Sequence, residues 1–153
     1  MATFHIQPAQ PLAADGAALT HVLNRAGVGK QSLVHVTGPS GPIAMLWLNR
    51  HGYRNALYVP ASRIGAMAPA DALLVPHSVE AEELTELLRD GEHLHVGGVL
   101  IVQTSAARSA LGGDSILVAL EPIGFQVQCR ISDRGRDIYI ARRIGVGGFK
   151  QAA

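Results

Sequence analysis

Along the chain, short aliphatic runs alternate with stretches whose apolar positions fall in helical register. Ser32-Leu33-Val34-His35-Val36 is short, rich in β-formers and bounded by turn residues, which predicts a strand. Thr37-Gly38-Pro39-Ser40-Gly41-Pro42 breaks it. Ile43, Ala44, Leu46, Trp47 and Leu48 then recur at helical spacing up to a stop at His51-Gly52. Pro42 suits a first helical position, where its missing N–H costs nothing. Asn55-Ala56-Leu57-Tyr58-Val59 forms a second strand, ended by Pro60. Strand, glycine turn, helix and strand make a βαβ unit, parallel and right-handed. The first turn of such a unit lies at the carboxyl edge of the sheet, where ligands bind.

The same pattern orders the rest. Residues 1–13, with Pro8 and Pro11 and no periodicity, read as an extended lead-in. Asp15 is placed to cap a helix built on Ala18, Leu19, Val22, Leu23 and Ala26, closed by Gly27 and Gly29. Residues 61–70 are too short and broken for a helix plus a strand, so they read as a loop with at most one helical turn. Ala72-Leu73-Leu74-Val75 is a buried strand ending at Pro76-His77, followed by an amphipathic helix. Val79, Leu84, Leu87 and Leu88 mark one side of that helix; Glu80, Glu82, Glu83, Glu86 and Arg89 mark the other. Gly97-Gly98 turns the chain into a fourth strand, Val99-Leu100-Ile101-Val102. Residues 104–113 read as a loop or a ragged helix start, and Ser115 to Pro122 as a short helix. Phe125 to Cys129 and Asp137 to Ala141 alternate apolar and polar residues around Asp133-Arg134-Gly135-Arg136, which predicts a hairpin. Residues 144–153 read as a flexible, glycine-rich tail.

Composition narrows the class. With 153 residues the chain can bury a core as a single domain, and 48% hydrophobic against 16% charged residues suits a parallel sheet covered by helices. A net charge of +1 gives no global attraction to nucleic acid or membrane. The single cysteine, Cys129, excludes an internal disulfide and points to a reducing cytoplasm. The first residues lack the basic and apolar regions of a secretory signal.

The order of these elements, with His95-Val96-Gly97-Gly98-Val99-Leu100-Ile101-Val102 and the entry Gly124-Phe125 into the last hairpin, resembles class I S-adenosylmethionine-dependent methyltransferases from about Ser32 to Arg143. The resemblance implies a Rossmann-like α/β fold, a three-layer sandwich with a mostly parallel sheet and a C-terminal antiparallel hairpin. The short 61–70 connection implies loss of one edge strand of the methyltransferase fold. The expected strand order is second, first, third, fourth, sixth, fifth.

Carried over residue by residue, the resemblance assigns cofactor contacts to Thr37, Gly38, Pro39, Ser40 and Gly41 in the first loop, to Pro60 and Ser62 after the second strand, and to Pro76 after the third. The sequence departs from the family's pattern at several of these positions. His35 stands where the family has an acidic residue, and Pro39 takes a glycine site. Pro60-Ala61-Ser62 offers no carboxylate for the ribose hydroxyls. A carboxylate making charge-assisted bonds of ~1.5–3 kcal/mol each is absent there. The expectation is weak S-adenosylmethionine binding or none. His77 is the candidate acid–base group, a neutral imidazole at the end of the third strand, with packing at the start of the acidic helix as the competing role.

Other candidates read as structural. His93 and His95 lack a supporting ligand cluster and are expected to be solvated, so no metal is assigned. Cys129 is expected to be an inert half-buried thiol, and Met45, Leu46 and Trp47 to be core or interface groups. Arg130, Arg134, Arg136, Arg142, Arg143 and Lys150 make the last quarter basic, but Tyr139 is the only aromatic interleaved among the arginines, so a nucleic-acid partner is disfavoured. Two functions stay open: a degenerate methyltransferase-like protein with a structural or interaction role, and an active small-molecule methyltransferase whose site a partner subunit completes. The 55–59 strand, left at a sheet edge, predicts a homo-oligomer.

Overall fold

The computed structural model describes residues 10–89, 93–105 and 115–145. Six strands form one sheet in the order β2-β1-β3-β4-β6-β5, the order expected from the sequence. They are β1 (Val34–Val36), β2 (Ala56–Tyr58), β3 (Ala70–Ser78), β4 (Leu94–Ser105), β5 (Phe125–Asp133) and β6 (Arg136–Arg143). β1 pairs in parallel with β2 and β3, and β3 with β4, while β6 runs antiparallel to both β4 and β5. The helices are α1 (Gly16–Ala26), α2 (Gly41–Arg50), α3 (Ala81–Leu87) and α4 (Ser115–Leu120). No helix among the described residues is long and apolar enough to cross a membrane.

The pleat of the strands builds two cores, one on each face. Val34, Val36, Ala72, Leu74 and Ile101 pack under Leu19, Val22 and Leu23 of α1 and Ala44 and Leu48 of α2. Leu73, Val75, Leu100 and Val102 face the other way, against Leu84 of α3 and Ile116 and Leu120 of α4. Full burial of each such aliphatic side chain contributes ~1.5–3 kcal/mol, and both faces of the central strands receive it. This is a three-layer α/β sandwich.

Several local expectations hold. The Asp15 side chain accepts from the Ala18 N–H at 3.2 Å and caps α1. Residues 59–69 connect β2 to β3 without a further strand, although their 3-10 helix, Ala61–Ala66, runs to six residues, about two turns where one was expected. Arg134 and Gly135 both have positive φ, 50° and 79°, which fits a two-residue hairpin between twisted strands.

Other expectations need correction. The lead-in is not extended up to residue 13, because Leu12–Ala14 forms a 3-10 turn with Leu12 and Ala13 buried. Gln103 holds this turn, its Oε1 accepting from the Leu12 N–H at 2.7 Å. β4 runs on through Thr104 and Ser105, which were expected in a loop, because they pair with Asp137 and Arg136 of β6. His93 is buried rather than solvated, since it stands at the entry to β4, where its carbonyl accepts from the Ala70 N–H at 3.0 Å. His95 is exposed as expected, and Cys129 is a half-buried free thiol. The remainder of the 104–113 loop and most of the 144–153 tail lie outside the described residues.

Candidate functional site

The site grows from the end of β1. Thr37 continues the strand, its N–H donating to the Leu74 carbonyl at 3.1 Å. Gly38 then turns the chain at φ +95°, a conformation open to glycine and costly for other residues. The Gly41 N–H closes the turn on the Gly38 carbonyl at 3.0 Å, and α2 starts there with Pro42 in its first turn. Ser40 precedes the helix but does not cap it. Its hydroxyl lies 3.4 Å from the Pro76 carbonyl and ties the loop to β3.

β3 is longer than the aliphatic run that announces it. It passes through Pro76, where the absent N–H coincides with a register irregularity between Val75 and Ser78. This overrun carries His77 directly over the loop. A Cβ built on Gly38 would lie 2.0 Å from His77 Cε1 and 2.4 Å from its Nδ1. On the other flank, a Cβ on Gly41 would lie 2.6 Å from the Tyr58 ring. The imidazole and the phenol, from the ends of β3 and β2, therefore cover both glycines of the loop.

The structure thus brings Thr37, Gly38, Pro39, Ser40, Gly41, Pro76 and His77 together at the carboxyl edge. Pro60 and Ser62 lie exposed beyond the end of the neighbouring edge strand. Thr37 Oγ1 and His77 Nδ1 are buried without a hydrogen-bond partner. Burial lowers the His77 pKa below its ordinary 6.5, with the Glu83 carboxylate pulling weakly the other way, so the ring is neutral at pH 7. His35, in the acidic residue's place, is buried in β1 and also has its pKa lowered by burial.

Three further groups close the edge and escaped the sequence reading. Gln103 is fully buried at the end of β4, donating to Ser78 Oγ at 2.9 Å and holding Leu12. Arg136 has no exposed surface; it donates to the Gln10 carbonyl at 2.8 Å and to Asp15 Oδ2 at 2.7 Å. Together they fasten the 10–15 segment, whose 3-10 turn packs against α2 and β3. Tyr58 is the third. A glutamine directly after four aliphatic strand residues was the available signal for the first of these.

The segment that follows β2, residues 59–70, contains no carboxylate, and Asp71 at the start of β3 instead accepts from the Leu33 N–H at 2.8 Å, at the opposite end of the sheet. Among the described residues, no three His, Cys, Asp or Glu side chains converge to hold a metal ion.

The architecture defines a class: the chain has the fold of class I S-adenosylmethionine-dependent methyltransferases. It superimposes on a ribosomal protein methylase from Lactobacillus delbrueckii subsp. bulgaricus with a TM-score of 0.64 at 17% identity, over 88% of this chain and 78% of that one. Phosphoethanolamine N-methyltransferase 2 of Haemonchus contortus, in complex with phosphomonomethylethanolamine and S-adenosylhomocysteine, gives 0.64 at 16% identity, over 88% of this chain and 38% of that one. The Escherichia coli protein yhhF gives 0.54 at 14% identity, over 81% and 83%. No family model matches the sequence, and no curated protein matches it significantly.

Proposed function

We propose that this protein is a degenerate member of the methyltransferase fold, with weak or lost S-adenosylmethionine binding and a structural or interaction role. The observation that carries the reading is the covering of Gly38 by His77 and of Gly41 by Tyr58. A cofactor resting on that loop would have to displace both rings. Without a carboxylate after β2 it would also forgo charge-assisted bonds to its ribose, weakening binding by about one to two powers of ten. The single cysteine suits a cytoplasmic setting.

One observation favours a second reading, an active small-molecule methyltransferase completed by a partner subunit. Thr37 Oγ1 and His77 Nδ1 are buried polar atoms that lack protein partners, and a bound ligand would satisfy them. Under that reading the neutral His77 accepts a proton from the substrate's nucleophile.

Calorimetric titration with S-adenosylmethionine and S-adenosylhomocysteine separates the two. The unmodified protein is expected to bind more weakly than micromolar, and Pro60→Asp, which restores a carboxylate at the end of β2, to tighten binding by about tenfold. A submicromolar dissociation constant for the unmodified protein would overturn the degenerate reading.

A further inference from the structure

Charge is segregated along this chain in a way the site does not use. Residues 16–70 contain no aspartate or glutamate, while they carry Arg25, Lys30, Arg50, Arg54 and Arg63. These residues build α1, α2, β1 and β2. α3 is the reverse, with Glu82, Glu83 and Glu86 exposed and no basic residue in its last turn.

Each of these regions also shows apolar surface. β2 is an edge strand paired on one side only. Leu57 and Tyr58 on it are 46% and 37% exposed, and Ile43 and Leu46 on α2 are 58% and 52% exposed. Tyr58 lies against Gly41 in the first turn of α2, so strand edge and helix form one flank. Half of the exposed large hydrophobic side chains among the described residues lie there. Arg50, Arg54 and Arg63 stand on the same elements or directly beside them, all exposed. On the other region, a shallow groove of about 540 Å³ runs between α3 and α4, lined by Ala81, Glu82, Glu86, Ser115, Val118 and Ala119. Val118 in it is 71% exposed.

We infer that the two surfaces are halves of one contact: the β2–α2 flank of one copy seats in the α3–α4 groove of a second copy. Apolar groups meet apolar groups, and the arginines around the flank meet the glutamates at the groove. The open hydrogen-bonding edge of β2 is covered in the process. Glu86 already pairs with Arg89, two residues past the end of α3, at 2.5 Å, but both side chains are well exposed, and such surface pairs exchange readily. RNA would be drawn by the same arginines, yet it leaves the aliphatic groups beside them and the complementary acidic groove without a role.

The test is the mass of the full chain by light scattering over about a tenfold concentration range, on the parent and on two variant pairs. The parent is expected to reach at least twice its 16.1 kDa. Leu57→Lys should weaken association by about tenfold or more. Arg54→Glu with Arg63→Glu, and separately Glu82→Arg with Glu86→Arg, should each give monomers with unchanged circular dichroism. An equal mixture of these two proteins should recover the parent mass, because every flank then meets a groove of opposite charge. A monomeric parent, whether or not it binds RNA, overturns the inference. So does association that survives either variant pair, or a mixture that stays monomeric.

Discussion

Replacing Gly38 by alanine adds one methyl group under the His77 ring, and the consequences can be separated. The first cost is in the backbone: an L-residue forced into the left-handed region, here at φ +95°, loses ~1–2 kcal/mol whatever space surrounds it. The second is steric. The new carbon would stand 2.0 Å from His77 Cε1, far inside the ~3.5 Å at which non-bonded carbons are comfortable. The ring must leave, and that costs no more than deleting it. Truncating this half-buried imidazole by His77→Ala should cost ~1 kcal/mol. Gly38→Ala is therefore expected to destabilise the parent by ~2–3 kcal/mol but the His77→Ala background by only ~1–2 kcal/mol. Urea denaturation of the four proteins closes the double-mutant cycle, with a coupling of ~1 kcal/mol and unchanged m-values. Additivity within ~0.3 kcal/mol would refute the placement of His77 over the loop. The argument that the protein's own side chains fill its cofactor site would fall with it.

Asp15→Ala removes the α1 cap and leaves the wholly buried Arg136 guanidinium without its nearest carboxylate, so a loss of ~3–5 kcal/mol is expected in urea denaturation. Arg136→Met, which deletes the buried charge instead of stranding it, should cost less, and the reverse ranking would contradict the role given to the pair. Stability should also depend on pH in two steps. The unfolded chain takes up protons on His35 and His77 near 6.5 while the folded chain resists, so their contribution is complete above that value and declines as pH falls below it. Asp15, lowered by the Ala18 N–H and then by Arg136, adds stability that is present above 3.8 and is lost on further acidification. Urea midpoints one pH unit above and one below 6.5 check the first step, and equal midpoints would contradict it.

The fold was legible because its signals are local. Leu73 to Val75 and Val99 to Val102 are aliphatic whichever face they serve, which marks strands buried on both sides. Asp15, Gly27 and Pro42 mark helix boundaries by their own chemistry. The strand order followed from the resemblance in element order, and the pairing of the six strands agrees with it. The site was half legible for the same reason. The turn at Gly38 and the break at Pro76 announce themselves, but the contact between Gly38 and His77 depends on how far β3 overruns its aliphatic core. Pro76 argued for an end there, and pairing of Ser78 with Gln103 carried the strand two residues past it.

What remained hidden was polar and long-range. Arg136 reads in sequence as one of several hairpin arginines, and only the fold shows it buried against a segment 121 residues away. Gln103 likewise spans to Leu12 across 91 residues. Both anchor the 10–15 segment at the carboxyl edge, on the α2 side, while His77 and Tyr58 cover the loop itself. Buried polar contacts of this kind are costly to break, since removing one partner strands the other. Arg136 and Gln103 therefore stabilise the packing of the 10–15 segment against α2 and β3, whether or not the neighbouring loop takes a ligand.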